Sequence, residues 1–399
     1  MKILHLADEH IRDKDIEEID KCLAFIVDTA RTEAPDLIIS AGDLFDAQDV
    51  RMGSRSALAA IGFISALADI APVAVIIGTP SHDGKAPEIL RFARGKYPII
   101  VAATPQQVYL EEGGLFDRPA GDKTPEAVVT LIPQPTKQFF QTKAGVEAGD
   151  LEIGQAMSGL FAGFGAQAAG YPGVPHVLVT HLNVNGCRFA NGQIRTGMDI
   201  SVSVDQMMLA NPDLICLGHI HKSQQLGDRA FYSGPIYSTK IDEEGPMGFW
   251  VHDLFNIYEI DTPIKSHFIE TPCRRTVRIQ DDLTLKSTTS NIYDTDVSGV
   301  HVRYDVSIFQ DEIADVDKAM LTKELIERGA LSVDIRINAI PRQNVRAESV
   351  LAATTLREEI SEMAKLRGEE VEPDVLLKAE ALENTNPEEL LGRITGGAV

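Results

Sequence analysis

The sequence predicts an α/β layered fold, and three observations carry that expectation. Short apolar runs alternate with longer segments whose apolar residues recur at helical spacing. Five of those runs end in aspartate or histidine. The most membrane-like stretch, "ALAAIGFISALADIAPVAVII", is broken by Asp69 and Pro72, so it reads as a buried helix followed by a strand.

Taken in order, "KILHLA" is a strand and "IEEIDKCLAFIVDTARTEA" a helix, with Ile16, Ile19, Leu23 and Ile26 on one face. "PDLIISAGDLFD" brings a second strand, "SRSALAAIGFISALADI" a helix and "PVAVIIG" a third strand. Residues 98–135 read as shorter strands and loops. "LEIGQAMSGLFAGFGAQAAG" leads into "PHVLVTHLNV", and "VDQMMLANPDLICLGHIH" repeats that helix-to-strand order. "AFYSGPIYS", "MGFWVHDL" and "IYEIDT" read as antiparallel strands closing the domain.

From about residue 275 the pattern changes to a β-α-β unit. "HVRYDVSI" and "SVDIRINAI" flank "DEIADVDKAMLTKELIERGA", a helix ending at Gly329. The tail is helical, with "ESVLAATTLREEISEMAKLRG" stopped by Gly368 and "PDVLLKAEALEN" following. At 399 residues the chain exceeds one ordinary core. The expected division is 1–274, 275–345 and 346–399.

Composition narrows the function. A 44% hydrophobic and 24% charged chain is an ordinary globular one. Its four cysteines, Cys22, Cys187, Cys216 and Cys273, lack CxxC spacing, which argues against a disulfide framework or thiolate zinc site and suits a reducing compartment. Asp8 arrives too early for a signal-peptide core, so a cytoplasmic protein without a membrane segment is expected. A net charge of −22, from 37 basic and 59 acidic residues, gives no long-range attraction for a polyanion.

The strand ends carry the chemistry. "ILHLA" delivers Asp8 and His10, "LIISAG" Asp43, "VAVIIG" Ser81, His82 and Asp83, "VLVT" His181, and "LICLG" His219 and His221. Ligand sites in α/β sheets lie beyond the carboxyl ends of strands, so these side chains can share one crevice. Where the backbone stays extended, the i,i+2 pairs Asp8/His10 and His219/His221 point the same way. Imidazoles with carboxylates and no sulfur suit Mn²⁺, Fe²⁺ or Zn²⁺, and the inventory fits two ions bridged by one carboxylate. His82 faces the same crevice as the residue that protonates a leaving oxygen or neutralises a phosphate, with Asp83 either holding its ring or shaping the turn. His5, His176, His252, His267 and His301 read as ordinary core or surface histidines.

The set "LADEH", "SAGDLFD", "GTPSHD", "VTHLNV" and "LGHIH" resembles the calcineurin-like metallophosphoesterases, and more closely the SbcD-type exonuclease subunits of a double-strand-break repair nuclease–ATPase complex. The segment "YSGPIYSTKIDEEGPMGFWVHDL" resembles the "SGS…E…KGF" stretch of SbcD-type proteins. The resemblance runs to about residue 255. It implies a layered α/β/β/α sandwich with a small β-α-β capping domain and C-terminal helices that dock on an SbcC-type coiled-coil ATPase. It further implies two Mn²⁺ ions: one on Asp8, His10, Asp43 and His221, the other on Asp43, His181 and His219, with His82 as the catalytic histidine. The family's Gly-Asn-His-Asp turn is two residues longer here. Ser81 stands where the ligating Asn would be, with Thr79 or a water as the alternative. DNA is the implied substrate, and a homodimer is a family expectation.

Two weaker motifs complete the reading. "GFGAQA", from Gly163, has dinucleotide-like spacing but lies inside a helix-like run, so its small residues are expected to allow close packing. Leu351, Ile360, Met363 and Leu366 are expected to form an apolar stripe on the tail helix, which carries 12 acidic and six basic residues over 346–399.

Overall fold

The computed structural model describes residues 1–119, 123–136, 150–189, 200–240, 243, 245–254, 264–284, 291–341, 350 and 352–384. Strands β1 (Lys2–Leu6), β2 (Leu37–Ser40), β3 (Val73–Ile76) and β4 (Ile99–Ala102) run parallel. Helices α1 (Ile16–Glu33) and α2 (Arg55–Ala68) connect the first three. Because side chains alternate along a strand, one face presents Leu4, Leu6, Ile38, Val73 and Val75 to Ile19, Leu23 and Ile26 of α1 and Ile64 and Leu67 of α2. The other face presents Ile3, Leu37, Ile39, Ala74 and Ile76 to a second sheet. The ends of the helices are chemically set. Ala34 closes α1 in left-handed backbone, its N–H bonded to the Ala30 carbonyl, and the Ser54 hydroxyl caps α2 through the Ala57 N–H.

The second sheet uses β5 (Gln106–Glu111), β6 (Gly114–Phe116), β7 (Ala127–Ile132) and, after α3 (Asp150–Ala168), β8 (His176–His181). A short parallel pair, β9 (Asn183–Val184) and β10 (Ser201–Val202), precedes the single turn α4 (Val204–Met207). Then come β11 (Leu214–Gly218), β12 (Gln224–Leu226) and β13 (Ala230–Tyr232), giving the order β12-β13-β11-β8-β7-β5-β6. Alternation works here too. Val177, Val179, Leu214 and Cys216 face the first sheet, while Leu178, Ile215 and Leu217 face Met157 and Phe161 of α3. The layers are therefore α/β/β/α. Within "GFGAQA", a side chain at Gly165 would collide with the Leu209 carbonyl at 2.6 Å, so Gly165 serves close packing, whereas Gly163 faces open space.

Two strands return to the first sheet: β14 (Gly248–Asp253) beside β1, antiparallel as expected, and β15 (Lys265–Glu270) beside β14, an antiparallel strand absent from the sequence reading. β13 departs from that expectation and runs parallel to β11, because the antiparallel partner β12 turns it back into line. Residues 257–262 lie outside the described residues.

Further along, β16 (Thr276–Asp282), β17 (His301–Phe309) and β18 (Ser332–Ile340) form a three-stranded sheet. The helix expected over 311–329 is two pieces. A 3₁₀ segment, Gln310–Asp315, precedes α5 (Lys318–Glu327), because the Asp317 carboxylate caps the Met320 N–H and starts a new helix; Gly329 follows in left-handed backbone. Similarly, the described tail helix α6 (Leu356–Arg367) begins later than expected, at the Thr355 cap, and stops at left-handed Gly368. α7 (Pro373–Asn384) starts at its proline as expected. Two units result: Met1–Asp281 with Ser287–Val306 and Asp317–Arg336, and Asp282–Lys286 with Ser307–Val316 and Ile337–Val399. Among the described residues no helix is long and apolar enough to cross a membrane.

The outer layer under α3 gives a stability test. Phe161 is fully buried there. Phe161→Ala is expected to destabilise by about 3–5 kcal/mol, read from the urea midpoint.

Candidate metal centre

The loops that follow β1, β2, β3, β8 and β11 meet at one place. The loop after β1 lies along the loop after β2 through backbone bonds from Asp8 N to Gly42 O (2.9 Å), His10 N to Asp43 O (3.0 Å) and Ile11 N to Leu44 O (2.8 Å). Extended backbone does not aim the side chains. Asp8, His10, Asp43 and His219 all take positive φ, at 54°, 42°, 57° and 97°. Each such residue costs on the order of 1–3 kcal/mol, and strain of this kind gathers at functional sites. Close packing holds it in place. A side chain at Gly42 would strike the His181 ring at 2.5 Å, and one at Gly78 would strike the Asp43 backbone and carboxylate.

Two trios of donor atoms result. Asp8, His10 and His221 form one, and Asp43, His181 and His219 the other, each with its atoms within 4.8 Å of one another. Asp43 stands between them, its Oδ2 lying 3.2 Å from His181 Nε2 and 4.0 Å from His10 Nε2. Their hydrogen bonds fix which nitrogen faces inward. His181 Nδ1 donates to the Ala41 carbonyl at 2.7 Å, and His221 Nδ1 donates to Glu243 Oε1 at 2.5 Å, leaving both Nε2 atoms for the centre. The Asp8 carboxylate accepts the His219 N–H at 2.9 Å and 3.2 Å.

His82 lies at the open edge. Its side chain is 37% exposed while that of His181 is at 0%, so among the described residues the His82 side of the centre is the more open one. Its ring meets His10 edge-on at 4.8 Å. Burial holds its pKa below the ordinary imidazole value, against the pull of Asp43 and Asp46. The carboxylate beside it is Asp46, with Oδ1 3.6 Å from His82 Nδ1 and 3.3 Å from His10 Nδ1, held in turn by Arg12 at 2.9 Å.

Asp83 is a different kind of residue from the ring-holder expected. Fully buried, it accepts the backbone N–H groups of Asp43 (3.0 Å), Phe45 (2.9 Å) and Gly78 (2.8 Å). It fastens the loops after β2 and β3 to each other, which is the turn-forming alternative in an extended form. Ser81 is exposed on the turn. Thr79 instead reaches inward, its N–H and hydroxyl both donating to Asp43 (hydroxyl to Oδ2 at 2.9 Å) with Oγ 3.3 Å from His181 Nε2. The two extra residues of this turn carry Ser81 away from the centre.

Electrostatics test whether cations fit. Burial alone would lower the His181 pKa, yet Asp43 and Asp8 lift it to about 9, which shows how negative its surroundings are when no cation balances them. Burial would likewise raise Asp43, but His181, His10 and His82 hold it well below the usual carboxylate range. His10 Nε2 and His221 Nε2 face each other at 2.9 Å, although His221 has committed its other nitrogen to Glu243. Lone pairs and carboxylates thus converge where positive charge is required, and the donor set is nitrogen and oxygen. Divalent ions of the Mn²⁺, Fe²⁺ or Zn²⁺ type fit it.

Residues 1–223 match the family described as calcineurin-like phosphoesterase. The chain belongs to that family. Its activity is metal-dependent phosphoester hydrolysis. No curated protein matches. Among solved structures, the chain is similar to GAP50, the anchor in the inner membrane complex of Plasmodium, at 13% identity and a TM-score of 0.43, covering 68% of this chain and 84% of that one. It is also similar to a dimetal phosphatase from Danio rerio, at 12% identity and a TM-score of 0.40, covering 64% and 93%.

Three residues around this phosphoesterase centre escaped the sequence reading. Asp46 lies in "GDLFD" three residues after Asp43, a spacing that signals it only once His82 is known to lie opposite. Glu243 sits in "IDEEG", inside the segment that resembles the "SGS…E…KGF" stretch, where the sequence reading gives neither glutamate a role. Glu9, between Asp8 and His10, is fully buried, accepts the Ser40 hydroxyl at 2.8 Å and is pushed by burial up to about 8.

Substitutions separate these roles. Asp83→Ala strips three buried N–H groups of their acceptor and is expected to cost at least about 3 kcal/mol in a thermal melt; a ring-holder would lower turnover and leave the melt unchanged. Thr79→Val is expected to weaken metal binding about 10–100-fold in a chelator competition, and Ser81→Ala to leave it unaltered.

Proposed function

We propose that this phosphoesterase is an Mn²⁺-dependent DNA exo/endonuclease subunit that processes DNA ends together with an SbcC-type coiled-coil ATPase. The observation that carries the reading is Asp43, one carboxylate reaching both donor trios beside a half-exposed histidine. Asp8, His10, Asp43 and His221 are the proposed holders of one ion, and Asp43, His181 and His219 of the other. When bound, such a pair supplies an activated water and neutralises charge on the phosphate.

The side chains divide the remaining work. Ala41 and Glu243 keep His181 and His221 turned inward, so the centre is preorganised before substrate arrives. Burial lowers the His82 pKa, and its ring stands at the open edge as the group that donates an N–H to the phosphate or the leaving oxygen. The Asp46 carboxylate lies 3.6 Å from His82 Nδ1, beyond hydrogen-bonding distance, and accepts from Arg12 at 2.9 Å.

DNA and the ATPase come from the resemblance across 1–255, and the tail supports the second of them. α6 and α7 pair through Arg357–Glu380 (2.5 Å) and Leu356 N–Glu383 (2.6 Å), leaving Met363, Leu366, Leu377 and Leu382 half exposed or more. Leu351, the first member of the expected stripe, lies outside the described residues. Apolar side chains in that number on a two-helix tail suit a docked partner, and the segment 275–345 is read as the cap.

End-labelled duplex DNA is expected to be shortened with Mn²⁺ and untouched in EDTA. His82→Ala is expected to slow cleavage about 10²–10⁴-fold while metal content stays unchanged. Rapid hydrolysis of small phosphodiesters, with duplex left intact alone and in the presence of the ATPase, would refute the nuclease reading and favour a small-substrate phosphodiesterase on the same centre.

A further inference from the structure

Away from the candidate centre, the layer between the two sheets holds a second group of metal-ligating side chains. His5 on β1 and His252 on β14 are diagonal neighbours across an antiparallel pair, since Ile3 opposes His252 and His5 opposes Trp250. Both side chains turn toward the second sheet, where Cys216 on β11 faces them from the apolar layer. All three residues are at 0% exposure. One ring nitrogen of each histidine and the cysteine sulfur lie within 4.8 Å of one another.

The two ring nitrogens stand at the separation of ligands on one ion. His5 Nδ1 and His252 Nε2 are 3.3 Å apart, long for a hydrogen bond. Two nitrogens at about 2.0–2.1 Å from one ion lie roughly 3.3–3.6 Å apart for tetrahedral or trigonal geometry. His252 already has the outer partner of a metal-bound histidine, its Nδ1 lying 2.8 Å from the Ser266 hydroxyl. Phe231 and Trp250 wall the group, with ring centroids 4.7 Å and 6.0 Å from that of His252.

We propose that His5, Cys216 and His252 form a structural site for one thiophilic metal ion, Cu⁺ or Zn²⁺, buried between the sheets. Thiolate with imidazole selects soft or borderline ions. Cu⁺ is the better match, because one positive charge on one thiolate leaves no net charge in a dry layer. Burial keeps both histidines in the neutral form that ligates, with His5 pushed down to about 3. The thiol proton leaves to solvent as the ion enters, with no change of oxidation state, and the sealed position has the ion loaded during folding.

The test uses the full chain, expressed in medium supplemented with copper and zinc and then dialysed against EDTA to empty the open centre. Elemental mass spectrometry is expected to find close to one chelator-resistant copper or zinc ion per chain. X-ray absorption at that element's edge is expected to show a sulfur neighbour beside nitrogen. Cys216→Ala and His252→Ala, checked by circular dichroism for retained fold, are each expected to lose the ion. A chain without chelator-resistant copper or zinc, or a folded Cys216→Ala chain that keeps the ion, overturns the proposal. The Asp43 centre contains no sulfur, so the result is independent of the nuclease reading.

Discussion

The metal centre depends on a carboxylate placed behind it. Asp83 accepts three backbone N–H groups from two loops, and those loops carry Asp43, Thr79 and His82. Burial and the neighbouring Asp43 push the Asp83 carboxyl up to about 6, so placing it there costs desolvation energy. Three amide donors offset that cost in the ionised form. A side chain at Gly78 would force the two loops apart, and a side chain at Gly42 would push His181 out of register with Asp43. The position of Asp43 between the two donor trios is thus fixed from behind by hydrogen bonds and packing.

Rigidity in the sandwich makes this arrangement tolerable. Four of the residues at the centre hold left-handed backbone, which an isolated peptide would abandon. They persist because β1, β2, β3, β8 and β11 are buried on both faces and bonded to neighbours on both sides, so their ends cannot drift. Sheet burial supplies the free energy, and the loops spend part of it on aiming donors. Once the loops are fixed, the remaining degrees of freedom are ring orientations, which Ala41 and Glu243 remove.

Much of this was legible in the sequence, for identifiable reasons. Alternating runs such as "KILHLA" and "VLVTH" encode both their strand and their two buried faces, and the helical spacing of Ile16, Ile19, Leu23 and Ile26 encodes α1. Ligand types at strand ends survive in the sequence because each follows an apolar run directly. Backbone handedness does not. Asp8 and His10 are two apart whether extended or left-handed, and only the bonds to Gly42 and Asp43 decide between them. Ser81 precedes His82 in the chain, yet Thr79 meets Asp43, because a turn lengthened by two residues changes which hydroxyl points inward. Helix starts were missed at Asp317 and Thr355, where a side-chain cap overrides a continuous helical pattern.

The proposed substrate makes a demand that the chain's charge does not meet. At −22, the whole-molecule field opposes a polyanion. That field is screened over about 8 Å at physiological salt, so approach is controlled by charges close to the centre rather than by the total. There the carboxylates Asp8, Asp43 and Asp46 are clustered among imidazoles, and two divalent cations would reverse the local sign. Such a chain attracts a phosphate only at contact range. Grip along the length of a duplex requires basic surface supplied by another molecule, which is why a nuclease reading of this chain needs a partner and a small-substrate reading does not.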